Sequence, residues 1–303
     1  MRKQLCDALI GRSARPDMVF LTGDLGFMAL EPLREAMGAR FINAGVSEQN
    51  MVSVAAALAR EGMEAWAYSI APFCYARPFE QIRNDVAFHA LPVKLIGNGG
   101  GYGYGVMGPS HHAIEDYGVL LTLPGFRVFV PVFDEDLADA VAAVGACSQP
   151  AYLRLGRGEA PKGYVPAPYA GWRQLIDGPG PVVVAVGPLG SLYIDALAGL
   201  PAARRPSLWA VSELPLAANP IPPQLQDRLA SAPALVIAEE HVAQGGFAAQ
   251  LVLHAALNGV ALPRLVHLCA RAHHYGRYGS QPWLRRQSGL DPASLVKALE
   301  GCQ

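Results

Sequence analysis

The sequence predicts an α/β protein built from two consecutive doubly wound domains with mostly parallel sheets. Three observations carry that expectation. Short apolar runs alternate with segments of helical period from residue 1 to about residue 155, as in a parallel sheet wrapped by helices. A stretch rich in Gly and Pro, Gly156 to Gly180, then interrupts the alternation, which restarts at Pro181. A length of 303 residues also suggests about two domains. The expected division is a first domain over 1–160, a linker over 161–180 and a second domain over 181–303.

Taken in order, Met1 to Asp17 reads as an amphipathic helix bearing Arg2, Lys3, Asp7, Arg12 and Arg15. Met18 to Thr22 is a short buried strand that ends at Gly23-Asp24-Leu25-Gly26, and a helix follows from Leu30 to Met37. Arg40 to Asn43 is a strand that breaks at Gly45 and re-forms as a helix. Ser47 is placed to cap that helix, and Met51, Val54, Ala55 and Leu58 give it one apolar face. Further strands are expected at Ala65–Ser69, Val93–Gly97, Phe126–Val130 and Ala151–Leu155, with helices at Phe79–His89, near Ala113–Tyr117 and at Glu135–Ala146. In the second half, strands are expected at Pro181–Gly187, Ser207–Val211, Ala234–Ala238 and Leu265–Cys269, with a last helix at Asp291–Leu299.

Composition narrows the function. With 51% hydrophobic and 16% charged residues, the chain has few groups to solvate its outside, so part of its surface is expected to lie against another subunit. A net charge of −1 carries no basic footprint for nucleic acid. No apolar run is long enough to cross a bilayer, and the N-terminus has no continuous apolar core that would make it a signal peptide. The five cysteines, Cys6, Cys74, Cys147, Cys269 and Cys302, are scattered and form no CxxC pair. That argues against a disulfide framework or a zinc site, and a cytoplasmic protein is expected.

Glu48 falls in the first turn of the helix after Gly45, at the carboxyl end of a strand. Such ends are where open α/β sheets hold ligands, although a carboxylate there also complements the helix dipole. Gly103-Tyr-Gly-Val-Met-Gly108 matches a dinucleotide-loop pattern, but Pro109-Ser110-His111-His112 follows it and no acidic residue ends the next strand. A glycine-rich turn passing close to a ligand or a neighbouring subunit fits better. His111 and His112 are adjacent and so diverge, which makes them a poor metal chelate. Proton transfer, hydrogen bonding to a substrate oxygen, or simple capping remain open for them. Gly23-Asp24 with Asn50 resembles a motif that holds metal-diphosphate, but Leu25 breaks it. No metal site is therefore expected on this chain.

Several stretches together resemble one family. Thr22-Gly-Asp-Leu25, Asn43-Ala-Gly-Val-Ser-Glu-Gln-Asn-Met51, Phe79-Glu-Gln-Ile-Arg83 and Gly108-Pro-Ser-His111 look like the pyrimidine-binding domain of transketolase. Val236-Ile-Ala-Glu-Glu-His241, Gly245-Gly246, Tyr278-Gly-Ser-Gln-Pro-Trp283 and Ser288-Gly-Leu290 resemble its C-terminal domain. The diphosphate-binding domain that begins one-chain transketolases has no counterpart in the sequence. The resemblance therefore implies the C-terminal subunit of a split enzyme. Its partner would be an N-terminal subunit carrying the diphosphate and Mg2+ or Ca2+ ligands, in an α2β2 assembly acting on small sugars.

The resemblance also implies roles for residues. Glu48 matches the glutamate that hydrogen-bonds N1′ of the thiamine diphosphate aminopyrimidine, a role that requires a buried carboxyl. Phe73 matches the aromatic that stacks on the pyrimidine, and Asp24 and Leu25 match residues beside the thiazolium. His111 matches a histidine near the substrate oxygen, and His112 stands where the family has Gln. Arg2 and Arg157 match arginines that hold a sugar phosphate, a task suited to a guanidinium fork. Met107 replaces an Asp that reads a sugar hydroxyl, Gly99 a phosphate-binding His, and Met28 a phosphate-binding Ser. Each such unreplaced group typically costs about 1–3 kcal/mol of recognition, so a substrate other than the usual pentose phosphates is expected. The expected reaction is transfer of a two-carbon ketol unit. The alternatives are the β subunit of a 2-oxoacid dehydrogenase, a non-catalytic subunit of the same fold and, more distantly, a nicotinamide oxidoreductase.

Overall fold

The computed structural model describes residues 1–274 and 276–302. The first half runs α1 (Arg2–Arg12), β1 (Met18–Thr22), α2 (Glu31–Met37), β2 (Phe41–Asn43), α3 (Glu48–Arg60), β3 (Glu64–Ile70), α4 (Ala71–Tyr75) and α5 (Phe79–Gln81). It continues through β4 (Lys94–Asn98), α6 (Asp116–Leu120), β5 (Arg127–Phe129), α7 (Leu137–Ala146) and β6 (Ala151–Leu155). The second half runs β7 (Trp172–Ile176), β8 (Val182–Val186), α8 (Leu189–Ala198), β9 (Ser207–Val211), β10 (Glu213–Leu214), α9 (Pro223–Ser231) and β11 (Ala234–Glu239). It ends with α10 (Phe247–Leu257), β12 (Arg264–Cys269), α11 (Gln281–Ser288) and α12 (Pro292–Glu300).

Among the described residues these strands form two sheets, a seven-stranded one in the order β10-β5-β6-β4-β3-β1-β2 and a five-stranded one in the order β12-β11-β8-β9-β7. All pairings are parallel except β10 with β5 and β7 with β9. Every residue of β1, β4, β6, β8, β9 and β11 is buried, as a parallel sheet covered on both faces requires. The expected doubly wound α/β architecture is the one observed.

The segment expected to be a linker departs from expectation. Its Gly and Pro residues flank β7, whose Trp172 and Leu175 pack inward while the strand adds antiparallel to β9 across a register shift. Five residues between turn formers carry too short a period to be read from sequence. The second half also returns a two-residue strand, β10, to the edge of the first sheet, so the halves are stitched together. One apolar cluster continues from Met51, Ala55 and Leu95 through Phe126 and Val128 to Ile237 and Phe247.

Candidate active site

The order of the first sheet places a switch point between β1 and β3, because β2 lies on one side of β1 and the later strands lie on the other. Open α/β sheets take ligands at such a point, beyond the carboxyl ends of the strands. Asp24 follows β1, Glu48 follows β2, Phe73 follows β3, His111 follows β4 and Arg157 follows β6. The topology thus brings residues from five separate stretches to one edge.

α3 fixes Glu48. Its buried residues, Glu48, Met51, Val52, Ala55, Ala56 and Ala59, recur at three- and four-residue intervals and form one stripe against the sheet. Val54 and Leu58 lie at the margin of that stripe, so the packed face is rotated from the one expected. Ser47 takes the N-cap position but makes no side-chain cap; its carbonyl accepts from the Met51 N–H at 2.9 Å. Because Glu48 lies on the buried stripe, the residue is only 1% exposed. Its Oε2 accepts from Arg77 Nη1 at 2.6 Å.

The neighbouring side chains form a single group. The Phe73 ring meets the His111 ring edge-on at 5.1 Å between centroids, and the Arg77 guanidinium lies 4.4 Å from the Phe73 centroid. His111 Nδ1 lies 3.0 Å from Ser110 Oγ, and burial holds its imidazole below the usual histidine range. Asp24 adopts a left-handed φ of 56°, and Asn43 Nδ2 donates to its carboxylate at 2.8 Å. Leu25 adjoins it on the wall of a 240 Å³ cleft that also includes Phe27, Arg34 and Phe41. Cys74, next to Phe73, is inert: burial pushes its thiol up to about 12.

His112 goes elsewhere. It is 2% exposed, edge-on to Tyr102 at 5.2 Å and stacked near His273 at 5.8 Å. Of the two histidines expected to serve the reaction, the structure places His111 alone beside Phe73. Extended backbone at His112 turns consecutive side chains to opposite sides, and the helix expected at Ala113 starts only at Asp116.

The glycine-rich loop also differs from expectation, because what its backbone approaches closely is this chain's own second half. Gly101 has a φ of +64° and its missing Cβ would lie 2.6 Å from the Glu240 carboxyl carbon; a Cβ on Gly108, at +85°, would run into the Tyr278 ring.

Gly99 leaves room for Tyr104, whose ring occupies the space where a Cβ would stand. Tyr104 is hydrogen-bonded through its hydroxyl to Asn98 Nδ2 at 2.6 Å, and its ring lies 6.3 Å from that of His111. Burial pushes its phenol up, while Arg2 and Arg157 are close enough to oppose that rise. The side chain missing at Gly99 is thus replaced in space by a polar-tipped ring. Two site residues, Tyr104 and Arg77, escape the sequence reading. Arg77 lies in the turn after α4, outside the helix in which a four-residue spacing would have paired it with Phe73.

Comparison with known proteins points to a family. Residues 12–162 match the transketolase pyrimidine-binding domain. One of the subunits of the apulose-4-phosphate transketolase of Phocaeicola vulgatus is 32% identical over 165 residues, 54% of this chain and 53% of its own length. The Geobacter sulfurreducens 1-deoxy-D-xylulose-5-phosphate synthase 1 is 27% identical over 300 residues, 95% of this chain and 44% of its own. A solved structure described as a split gene transketolase, inactive beta4 tetramer, superposes with a TM-score of 0.83 at 27% identity, covering 99% of this chain and 97% of that one. The chain spans about half the length of the curated relatives it matches. It belongs to the transketolase family, a family of transferases. Within that family its layout is that of a C-terminal, split-type subunit.

Proposed function

We propose that this chain is the pyrimidine-binding half of a two-chain, thiamine diphosphate-dependent transketolase that moves a two-carbon ketol unit from a ketose to an aldehyde or keto-sugar acceptor. The observation that carries the reading is Glu48, a buried carboxylate that shares one edge of the sheet with Phe73 and His111. The notch fits the cofactor's pyrimidine, since a planar, nitrogen-rich group already sits there: the Arg77 guanidinium bonds Glu48 and covers Phe73.

When bound, thiamine diphosphate supplies a carbon nucleophile and an electron sink for C–C cleavage. Glu48 shares a proton with the pyrimidine ring nitrogen, and Phe73 holds the ring by its face. His111, kept neutral by burial, presents a nitrogen to a substrate oxygen, while Ser110 engages Nδ1. Asp24 and Leu25, on the wall of the cleft, would line the thiazolium side. Arg2 and Arg157, near Tyr104, face the anionic end of the substrate. Met28 and Met107, both exposed on the rim, make an acceptor other than an ordinary pentose phosphate the better fit; an unphosphorylated or nucleotide-linked sugar is the substrate class we favour.

The rim also supports a partner. Phe27 and Met28 are each 84% exposed and Val46 73%, and Val106 and Met107 extend the same edge. A patch of this kind beside a ligand site marks an interface. We assign to it an N-terminal transketolase-like subunit supplying the diphosphate and the Mg2+ or Ca2+ ligands, in an α2β2 assembly. Reconstitution tests the reading: the purified chain is mixed with candidate N-terminal subunits, thiamine diphosphate and Mg2+, and products are analysed from ketose phosphates and from pyruvate. Ketol transfer requiring both chains is expected, with Glu48→Gln lowering turnover by about 10²–10⁴-fold at an unchanged unfolding midpoint. Full activity from this chain alone would overturn the two-chain reading, and turnover from pyruvate only would favour a 2-oxoacid dehydrogenase.

A further inference from the structure

Arg77 stands in the short turn between α4 and α5, its N–H reaching back to the Pro72 carbonyl at 3.4 Å. Its guanidinium donates to Glu48 at 2.6 Å and lies 4.4 Å from the Phe73 centroid. These are the two side chains that the proposed function gives to the pyrimidine, one for a ring nitrogen and one for its face. They cannot serve the guanidinium and the pyrimidine at once. The two ends of the ion pair differ in freedom: the Glu48 side chain is 2% exposed and that of Arg77 is 42% exposed. The carboxylate is held by its helix, whereas the arginine reaches in from solvent and has a path out.

We propose that Arg77 is a built-in occupant of the pyrimidine subsite, filling it in the cofactor-free chain and yielding it when the cofactor enters. The inference rests on the assignment of Glu48 and Phe73 to the pyrimidine. Its physical basis is the cost of a buried carboxylate without a counter-charge. A guanidinium is a suitable temporary partner because it is flat, donates in-plane hydrogen bonds and stacks on rings. The cofactor therefore competes with an intramolecular ligand, and its apparent affinity falls by the fraction of chains whose subsite is open.

The test uses the full chain as wild type, Arg77→Ala, Arg77→Lys and Glu48→Gln, and the double variant Arg77→Ala/Glu48→Gln. Each is titrated calorimetrically with 4-amino-5-aminomethyl-2-methylpyrimidine and with thiamine diphosphate plus Mg2+, and each is melted without ligand. If the subsite is open in one chain in ten, Arg77→Ala binds the free pyrimidine about tenfold more tightly than wild type, while melting at a lower temperature when unliganded. Arg77→Lys, which keeps the charge but not the planar fork, falls between them. Glu48→Gln removes pyrimidine binding in either background. Binding by Arg77→Ala equal to or weaker than wild type, with Glu48 still required, would overturn the proposal while leaving the cofactor site in place. Pyrimidine binding by no variant, or binding indifferent to Glu48→Gln, would overturn the cofactor-site assignment and this proposal with it.

Discussion

Two regions of the chain bury carboxylates, and they treat them differently. In the seam between the halves, Asp116 Oδ2 accepts from Arg154 Nε at 2.7 Å and from the Tyr152 hydroxyl at 2.9 Å. The same arginine donates to the carbonyls of Ala113 and Glu240, both at 2.9 Å. The Glu240 carboxylate accepts from Arg285, Gln281 and the Tyr102 N–H. Glu239 accepts from the Phe247 and Ala248 N–H groups, from the Tyr117 hydroxyl and from His267. At the sheet edge, Glu48 is as buried as these but has one half-exposed arginine as its ion-pair partner. The seam draws its counter-charges, Arg154 and Arg285, from buried positions inside the chain. The edge, rimmed by Phe27, Met28 and Val46, is built to be completed by something else. A buried charge whose partner is itself buried and held by further internal bonds reads as architecture, and one with a removable partner reads as a site.

Removing Arg154 gives the largest expected effect on stability. Arg154→Met leaves the Asp116 carboxylate buried without its counter-charge and breaks the link to the Glu240 carbonyl in the other half. Losing one partner of a buried pair costs about 3–5 kcal/mol, read from the urea midpoint at constant slope. A loss no larger than that of an exposed arginine would erase the distinction between seam and edge.

A pair of glycines sharpens the same contrast at lower cost. Gly45, beside Glu48, has a φ of +69° and open space for 4 Å around the position a Cβ would take, whereas Gly101 at +64° would press its Cβ onto Glu240. Both Ala variants meet the left-handed penalty of about 1–2 kcal/mol, but only Gly101→Ala adds overpacking, worth about 1–3 kcal/mol more. Equal destabilisation by the two variants in urea titration would show that the seam yields as easily as the edge.

The sequence makes the architecture readable because the parallel strands are short apolar runs bounded by turn formers. It also makes Glu48 readable, since its helix start is a local feature. Phe73 is reached only through a family resemblance, and His111 is singled out by the histidine pair with its role left open; their contact with each other depends on the sheet order, which no local pattern encodes. β7 was missed because five residues in Gly- and Pro-rich surroundings carry no usable period. The Gly99 case shows the limit of reading positions singly: the side chain lost there is offset by Tyr104, five residues on, and only the fold brings the two together. The divergence of His111 and His112 follows from adjacency, but which of them faces the edge depends on the turn at Pro109–His111.

The smallest effect is a pH dependence that again separates the regions. Burial first, and then the neighbouring His273, hold the His112 imidazole below its ordinary value of 6.5; His274 also faces it, along with the ring of Tyr102 and the backbone of Gly105 and His273. In the unfolded chain His112 takes up its proton near pH 6.5, but in the folded chain only at lower pH. Stability therefore falls as pH drops through 6.5 toward the folded value, then levels off. Glu239 and Glu240 act in a separate window. Burial alone would raise their carboxyls, but His267 at the first and Arg285 at the second hold them below the ordinary 4.5, so their contribution is present above 4.5 and is lost as pH falls through the folded values. His112→Gln is expected to flatten unfolding free energy between pH 7 and 5 by at most about 1.4 kcal/mol per pH unit, leaving the acid loss below pH 4.5 untouched. His111 and His274 shift in the same direction as His112 and leave a residual slope. Identical profiles for wild type and His112→Gln in urea unfolding across that range would show that the seam does not hold His112 neutral.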